Sequence, residues 1–148
     1  MIYLANDHNG VERMKFVKKW LTENGYEWES VGADTFIKTD SYVDYVKKAN
    51  QKILEDKNNR GIYLCGTGIG VAMAGNRTKG IRAFFCNNKQ TAYFARLHED
   101  ANVICFGVGY KGYPKFSNKK LVECLKMFFN TQFEGDRHIN RIKSLDEI

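Results

Sequence analysis

The stretch "CGTGIG", residues 65–70, sets one cysteine directly before three alternating glycines. The flanking "GIYLCGTGIGVAMA" reads as strand, glycine loop and helix, which leaves several backbone N–H groups pointing outward at a helix start. Cys65 stands at the positive end of that helix dipole, where thiolate is favoured over thiol. A thiolate is a nucleophile or a proton-abstracting base. Beside a row of N–H donors, a base can remove a proton next to a carbonyl while the donors stabilise the enediolate oxygen that forms. Two plainer readings fit the same residues: a tight strand-to-helix turn with no ligand, and a buried strand-end cysteine.

Other glycine-loop chemistries fail on spacing. A dinucleotide fingerprint beginning at Gly66 requires glycine where Val71 stands, and no Walker lysine follows the loop. A cysteine phosphatase loop requires arginine at that same place. The four cysteines, Cys65, Cys86, Cys105 and Cys124, are far apart and show neither a CxxC pair nor a metal-ligand spacing. Neither a metal nor a cofactor is expected.

Further polar residues gather in short motifs. "DHNG" carries Asp7 and His8, "HEDAN" carries His98 and Glu99, and "GDRHINRIK" carries Arg137, His138 and Arg141. Arg137 and Arg141 are four apart, so a helix would put both on one face as a pair of phosphate donors. A solvated basic tail has the same composition.

The elements that must position these residues follow from hydrophobic periodicity. "IYLAN" (2–6) reads as a first strand, followed by a helix with Val11, Met14, Val17, Trp20 and Leu21 on one stripe and Gly25 at its end. "YEWESVG" (26–32) is the second strand, and Tyr42, Tyr45, Val46, Ala49 and Ile53 mark a second helix. "GIYLC" (61–65), "IRAFFC" (81–86) and "ANVICFG" (101–107) are three more strands. Helices are expected around 71–76, around "KQTAYFARLH", and last near 115–130. The pattern predicts an α/β fold of the Rossmann-like, doubly wound kind: a five-stranded parallel sheet with helices on both faces. Ligands of such folds bind beyond the carboxyl ends of the strands. "DHNG" and "CGTGIG" therefore share the functional edge, whereas "HEDAN" precedes its strand.

At 148 residues the chain is expected to form one domain over 1–148. Hydrophobic residues make up 43% and charged residues 27%, the profile of a folded protein rather than a disordered one. No apolar run is long enough to span a bilayer, and no secretory leader pattern opens the chain, so no membrane partner is expected and a cytoplasmic location is. The net charge of +6 comes from scattered basic residues without an aromatic and basic recognition motif. That argues against nucleic acid and for a small anionic ligand or a solvated surface.

Together "DHNG", "GIYLCGTGIGVAMAGNRTKGIRA", "RLHEDANVICFG" and "FEGDRHINRI" resemble, in order and over nearly the whole chain, the type B ribose-5-phosphate isomerases and galactose-6-phosphate isomerase subunits. The resemblance implies a metal-free aldose–ketose isomerase of a sugar phosphate, active as a homodimer or homotetramer with its site between subunits. It implies that Cys65 is the base moving a proton between C1 and C2, and that the amides of Gly66, Thr67, Gly68, Ile69 and Gly70 hold the enediolate. Asp7, Thr67 and His98 would bind the sugar and assist ring opening, while His8, Arg137 and Arg141 would hold the phosphate. Asn76 would support the loop and touch substrate, His138 would face away, and residues 131–148 would reach a partner subunit.

The chain also departs from the family pattern. Glu99 stands where the family has asparagine, Gly109 where it has a phosphate arginine, with Lys111 as a substitute point charge, and "DSYVDY" where "DYPDY" is common. These changes spare the proton-transfer groups and touch those that read the substrate. Ribose 5-phosphate and ribulose 5-phosphate are the first expectation, allose or galactose 6-phosphate the second, and a non-catalytic sugar-phosphate binder the third.

Overall fold

The computed structural model describes residues 1–148. Five strands, β1 (Ile2–Asn6), β2 (Trp28–Ser30), β3 (Arg60–Cys65), β4 (Ala83–Phe85) and β5 (Val103–Gly107), form one parallel sheet in the order β2-β1-β3-β5-β4. Six helices accompany them: α1 (Val11–Glu23), α2 (Tyr42–Ile53), α3 (Ile69–Gly75), α4 (Lys89–Leu97), α5 (Asn118–Asn130) and α6 (His138–Leu145).

Alternation along the central strands builds two cores. Ile2, Leu4, Ile62, Leu64, Ile104 and Phe106 face α1, α4 and α5, while Tyr3, Ala5, Tyr63, Cys65, Val103 and Cys105 face α2 and α3. The stripe predicted for α1 is the buried one, Val11, Met14, Val17, Trp20 and Leu21. Past its C-cap Asn24, Gly25 turns the chain at φ 75°.

Connectivity determines where a crevice opens. The chain leaves β1 through α1 on one face and β3 through α3 on the other. These neighbouring strands therefore send their loops in opposite directions, which opens a cleft at their carboxyl ends.

Three boundaries differ from the sequence-based reading. The edge strands β2 and β4 are only three residues each and each pairs with a single neighbour, so little unpaired backbone is left at either edge. Helix α3 starts at Ile69, inside the glycine motif. Helix α5 starts at Asn118, where Ser117 caps it by accepting from the Lys120 amide, and α6 follows as a separate short helix. No helix is long and apolar enough to cross a membrane.

Candidate active site

Cys65 ends β3 beside Gly107, the last residue of β5. Its side chain is 5% exposed, and its sulfur accepts the N–H of Gly68 at 3.1 Å. That contact requires the backbone to reverse at once, which Gly68 permits at φ 79°. A Cβ there would come within 2.6 Å of the Phe106 carbonyl carbon, so the residue is glycine for conformation and for space. The loop is tied down by Val108 N–H to Cys65 O and Gly109 N–H to Gly66 O, both 3.1 Å. Thr67 Oγ1 accepts from the Ile69 amide at 3.3 Å, and Tyr42 from α2 lies against Gly70. The loop thus presents a sulfur and successive amides on one short turn.

At the end of the adjacent β1, Asp7 is buried and caps a 3-10 turn at His8–Gly10, accepting from the amides of Asn9 (2.9 Å) and Gly10 (3.3 Å). Burial pushes its carboxyl above the ordinary value, and the Asn9 hydrogen bonds and neighbouring His8 oppose that rise. His8 Nδ1 is 2.5 Å from Asp40 Oδ1, and Phe36 meets the imidazole edge-on at 4.9 Å between centroids. Sequence reasoning missed Asp40, although "DSYVDY" contains the signal: an aspartate two residues before Tyr42, one place earlier than the family pattern has it. Tyr45, one turn along α2, has its phenol pushed up by desolvation and then by Asp40.

The remaining expected site residues gather at the other end of the sheet. His98 is the C-cap of α4, ahead of β5. Gly61 to Cys65 spans four strand steps, so that edge is about 13 Å or more from the thiol. The His98 ring stacks on His138 at 4.5 Å with 13° between planes. His138 therefore faces inward, 4% exposed, and the expectation that it faces away is corrected: it begins α6 on the side packed against His98. Glu134 Oε2 is 3.1 Å from His138 Nε2, yet that buried nitrogen makes no well-directed hydrogen bond. Nitrogen and oxygen atoms of His98, Glu134 and His138 lie within 4.8 Å of one another, the one cluster of metal-ligand type.

Arg137 and Arg141 are exposed at the start of α6, and Glu99 is exposed beside His98. The helix is anchored by Arg82, which joins Asp146 and Asp100 at 3.0 Å each. Asn76 is the C-cap of α3, and its amide is occupied with the N–H and C=O of Ala83, 2.7 Å each. It braces α3 against the start of β4, away from the glycine loop. Gly109 has φ 98°, a conformation that suits glycine and not arginine, and the Lys111 ammonium lies 5.2 Å over the Tyr110 ring. One chain thus holds two groups of candidate site residues, sulfur and amides at the carboxyl edge and imidazoles and arginines at the amino edge.

Residues 2–145 match the model of the family described as Ribose/Galactose Isomerase. The chain belongs to this family. Among its relatives, the probable ribose-5-phosphate isomerase B of Mycoplasma pneumoniae is 38% identical over 141 residues, covering 95% of this chain and 90% of that one. The ribose 5-phosphate isomerase of Thermotoga maritima superposes with a TM-score of 0.90 at 36% identity, covering 99% and 97% of the two chains. The ribose-5-phosphate isomerase B of Mycoplasma genitalium, solved with bound ribulose-5-phosphate, superposes with a TM-score of 0.90 at 30% identity, covering 99% and 93%. The fold expected from periodicity is the fold of this isomerase family, and the chain is an isomerase.

Proposed function

We propose that this isomerase interconverts ribose 5-phosphate and ribulose 5-phosphate by moving one proton between C2 and C1 through an enediolate. The observation that carries the reading is the Cys65 sulfur held by the Gly68 amide at the mouth of a row of loop N–H groups. As thiolate, Cys65 takes the C2 proton of the open-chain aldose. Negative charge develops on the carbonyl oxygen, where loop amides donate hydrogen bonds; the hydroxyl proton of O2 passes to O1, and the thiol then returns its proton to C1, which leaves the carbonyl at C2. Base and electrophile both come from the chain, so the reading invokes no metal. The relative with bound ribulose-5-phosphate supports the choice of a five-carbon sugar.

Ring opening and phosphate binding fall to the other half-site. From that half His98 attends the sugar, meeting Asp7 and Thr67 of the Cys65 half, and Arg137 and Arg141 hold the phosphate together with His8. Because His98 leaves the sheet at the edge opposite Cys65, one complete site takes residues from two copies of the chain, with 131–148 reaching across. A homodimer is the smallest assembly that satisfies this.

A six-carbon sugar phosphate is the second reading, favoured by Glu99 and by the glycine at 109, both of which alter groups that measure the distance from carbonyl to phosphate. Proton NMR in D2O with five- and six-carbon aldose and ketose phosphates decides between them. Deuterium uptake beside the carbonyl that depends on Cys65 supports the isomerase, and the fastest sugar identifies the substrate. Thermal stabilisation by a sugar phosphate with no exchange in any of them would leave only a binding protein.

A further inference from the structure

The loop between β5 and α5 carries two lysines, Lys111 and Lys115, just beyond the glycine at 109. Their surroundings differ. The Lys111 ammonium lies 5.2 Å over the Tyr110 ring, in a turn that Tyr113 N–H closes on Tyr110 O at 2.8 Å. Lys115 instead lines a crevice of about 490 Å³ between the turn after β1 and the segment leading into α5.

Two other residues of that crevice connect it to the catalytic edge. Asn9 Nδ2 is 3.1 Å from His8 Nε2, and Val108, next after β5, donates its N–H to Cys65 O at 3.1 Å. The crevice therefore adjoins His8 on one side and the base of the glycine loop on the other.

The backbone around Lys115 is braced. Arg13, buried on α1, donates to Phe116 O and to Asn118 Oδ1 at 2.5 Å each, and Ser117 caps α5. A Cβ on Gly109 would come within 3.1 Å of Lys115 Cβ, so Lys115 leaves the backbone where a side chain at 109 would need room. Its ammonium is exposed and joins none of the ion pairs of the chain. Glu12, the one carboxylate on the crevice wall, is paired with Lys15 at 2.6 Å.

We infer that Lys115 is a phosphate-binding cation of the carboxyl edge, facing across the crevice the phosphate that His8 holds, in place of the arginine that Gly109 excludes. A lysine offers three donors on a flexible stem, a point charge without the planar fork of arginine. It selects for the charge of the phosphate more than for its orientation. This inference rests on the isomerase reading for the sugar that carries the phosphate.

Kinetics on ribose 5-phosphate and phosphorus NMR titration with inorganic phosphate test it. Lys115→Met removes the ammonium and keeps the apolar stem. It is expected to raise KM about ten-fold with kcat within about three-fold, the loss of one charge-assisted hydrogen bond made equally in the ground state and the transition state. The dissociation constant for inorganic phosphate should rise by a similar factor. Lys115→Arg should recover most of both, and Lys126→Ala, an exposed lysine farther along α5, should move neither. Wild-type KM and wild-type phosphate affinity in Lys115→Met would overturn the proposal, as would a loss of phosphate affinity in Lys111→Ala alone. If wild type binds phosphate, Lys115→Met does not, and neither turns over a sugar phosphate, the isomerase reading fails and the role of Lys115 stands.

Discussion

The Gly68 amide donates to Cys65 Sγ across 3.1 Å, so the residue that ends β3 and the residue that caps α3 are joined through the sulfur. Just after this left-handed turn the Ile69 amide donates to Thr67 Oγ1. Cys65→Ala is expected to lower kcat by roughly two to four orders of magnitude, the usual worth of a positioned general base. The variant should keep the wild-type circular dichroism spectrum. The check is the rate of deuterium uptake at the carbon beside the carbonyl; near-normal exchange would remove Cys65 from the mechanism.

Placing arginine at 109, as in the family pattern, is expected to harm the protein rather than improve its phosphate binding. The residue lies at φ 98°, and a Cβ would approach the Lys115 side chain to 3.1 Å. A strained backbone residue of this kind costs about 1–3 kcal/mol. Thermal unfolding of Gly109→Arg should show a lower Tm, and KM for the sugar phosphate should not fall.

If each complete site takes Cys65 from one copy and His98 from another, chains defective at different halves must rescue one another. Co-refolded Cys65→Ala and His98→Ala chains are expected to recover about a quarter of wild-type activity, since half of random dimers are mixed and each mixed dimer holds one intact site of two. Each variant alone should be nearly inactive. A mixture no more active than its parts would mean that the halves come from one chain.

Asp7 links the site to stability. Burial raises its folded-state carboxyl above the ordinary 3.8, so the native protein holds this proton to higher pH than the unfolded chain does. Its contribution is therefore complete below 3.8 and is lost as pH rises through the folded value. Asp7→Asn keeps a capping oxygen and removes the charge. Urea unfolding in pH steps upward from about 3.5 should show the variant gaining on wild type across that window, whereas a constant difference would contradict the burial argument.

Part of this site was legible residue by residue. Cys65 and its glycines stood out through the position of a thiol at a strand end before a bare backbone turn, and Asp7 with His8 followed from their place after the first strand. Asp40 was not legible, because nothing local marks an aspartate in a loop as the partner of an imidazole 32 residues earlier. The inward face of His138 was equally hidden. Its burial depends on α6 lying back over the end of α4, held by the Arg82 link to Asp146.

By itself the amino-acid sequence determined the alternation of strands and amphipathic helices, the parallel sheet and the chemical types available at each turn. These are local properties, written as periodicity, turn residues and helix ends. Only the tertiary structure decided which of those turns share an edge. Strand order sends the loops after β1 and β3 to opposite faces, bringing Asp7, His8, Asp40 and Cys65 to one cleft, and sets His98, His138 and the two arginines at the far end of the same sheet. Strand order depends on which side each crossover takes, a question settled by packing against the whole core and by no residue alone.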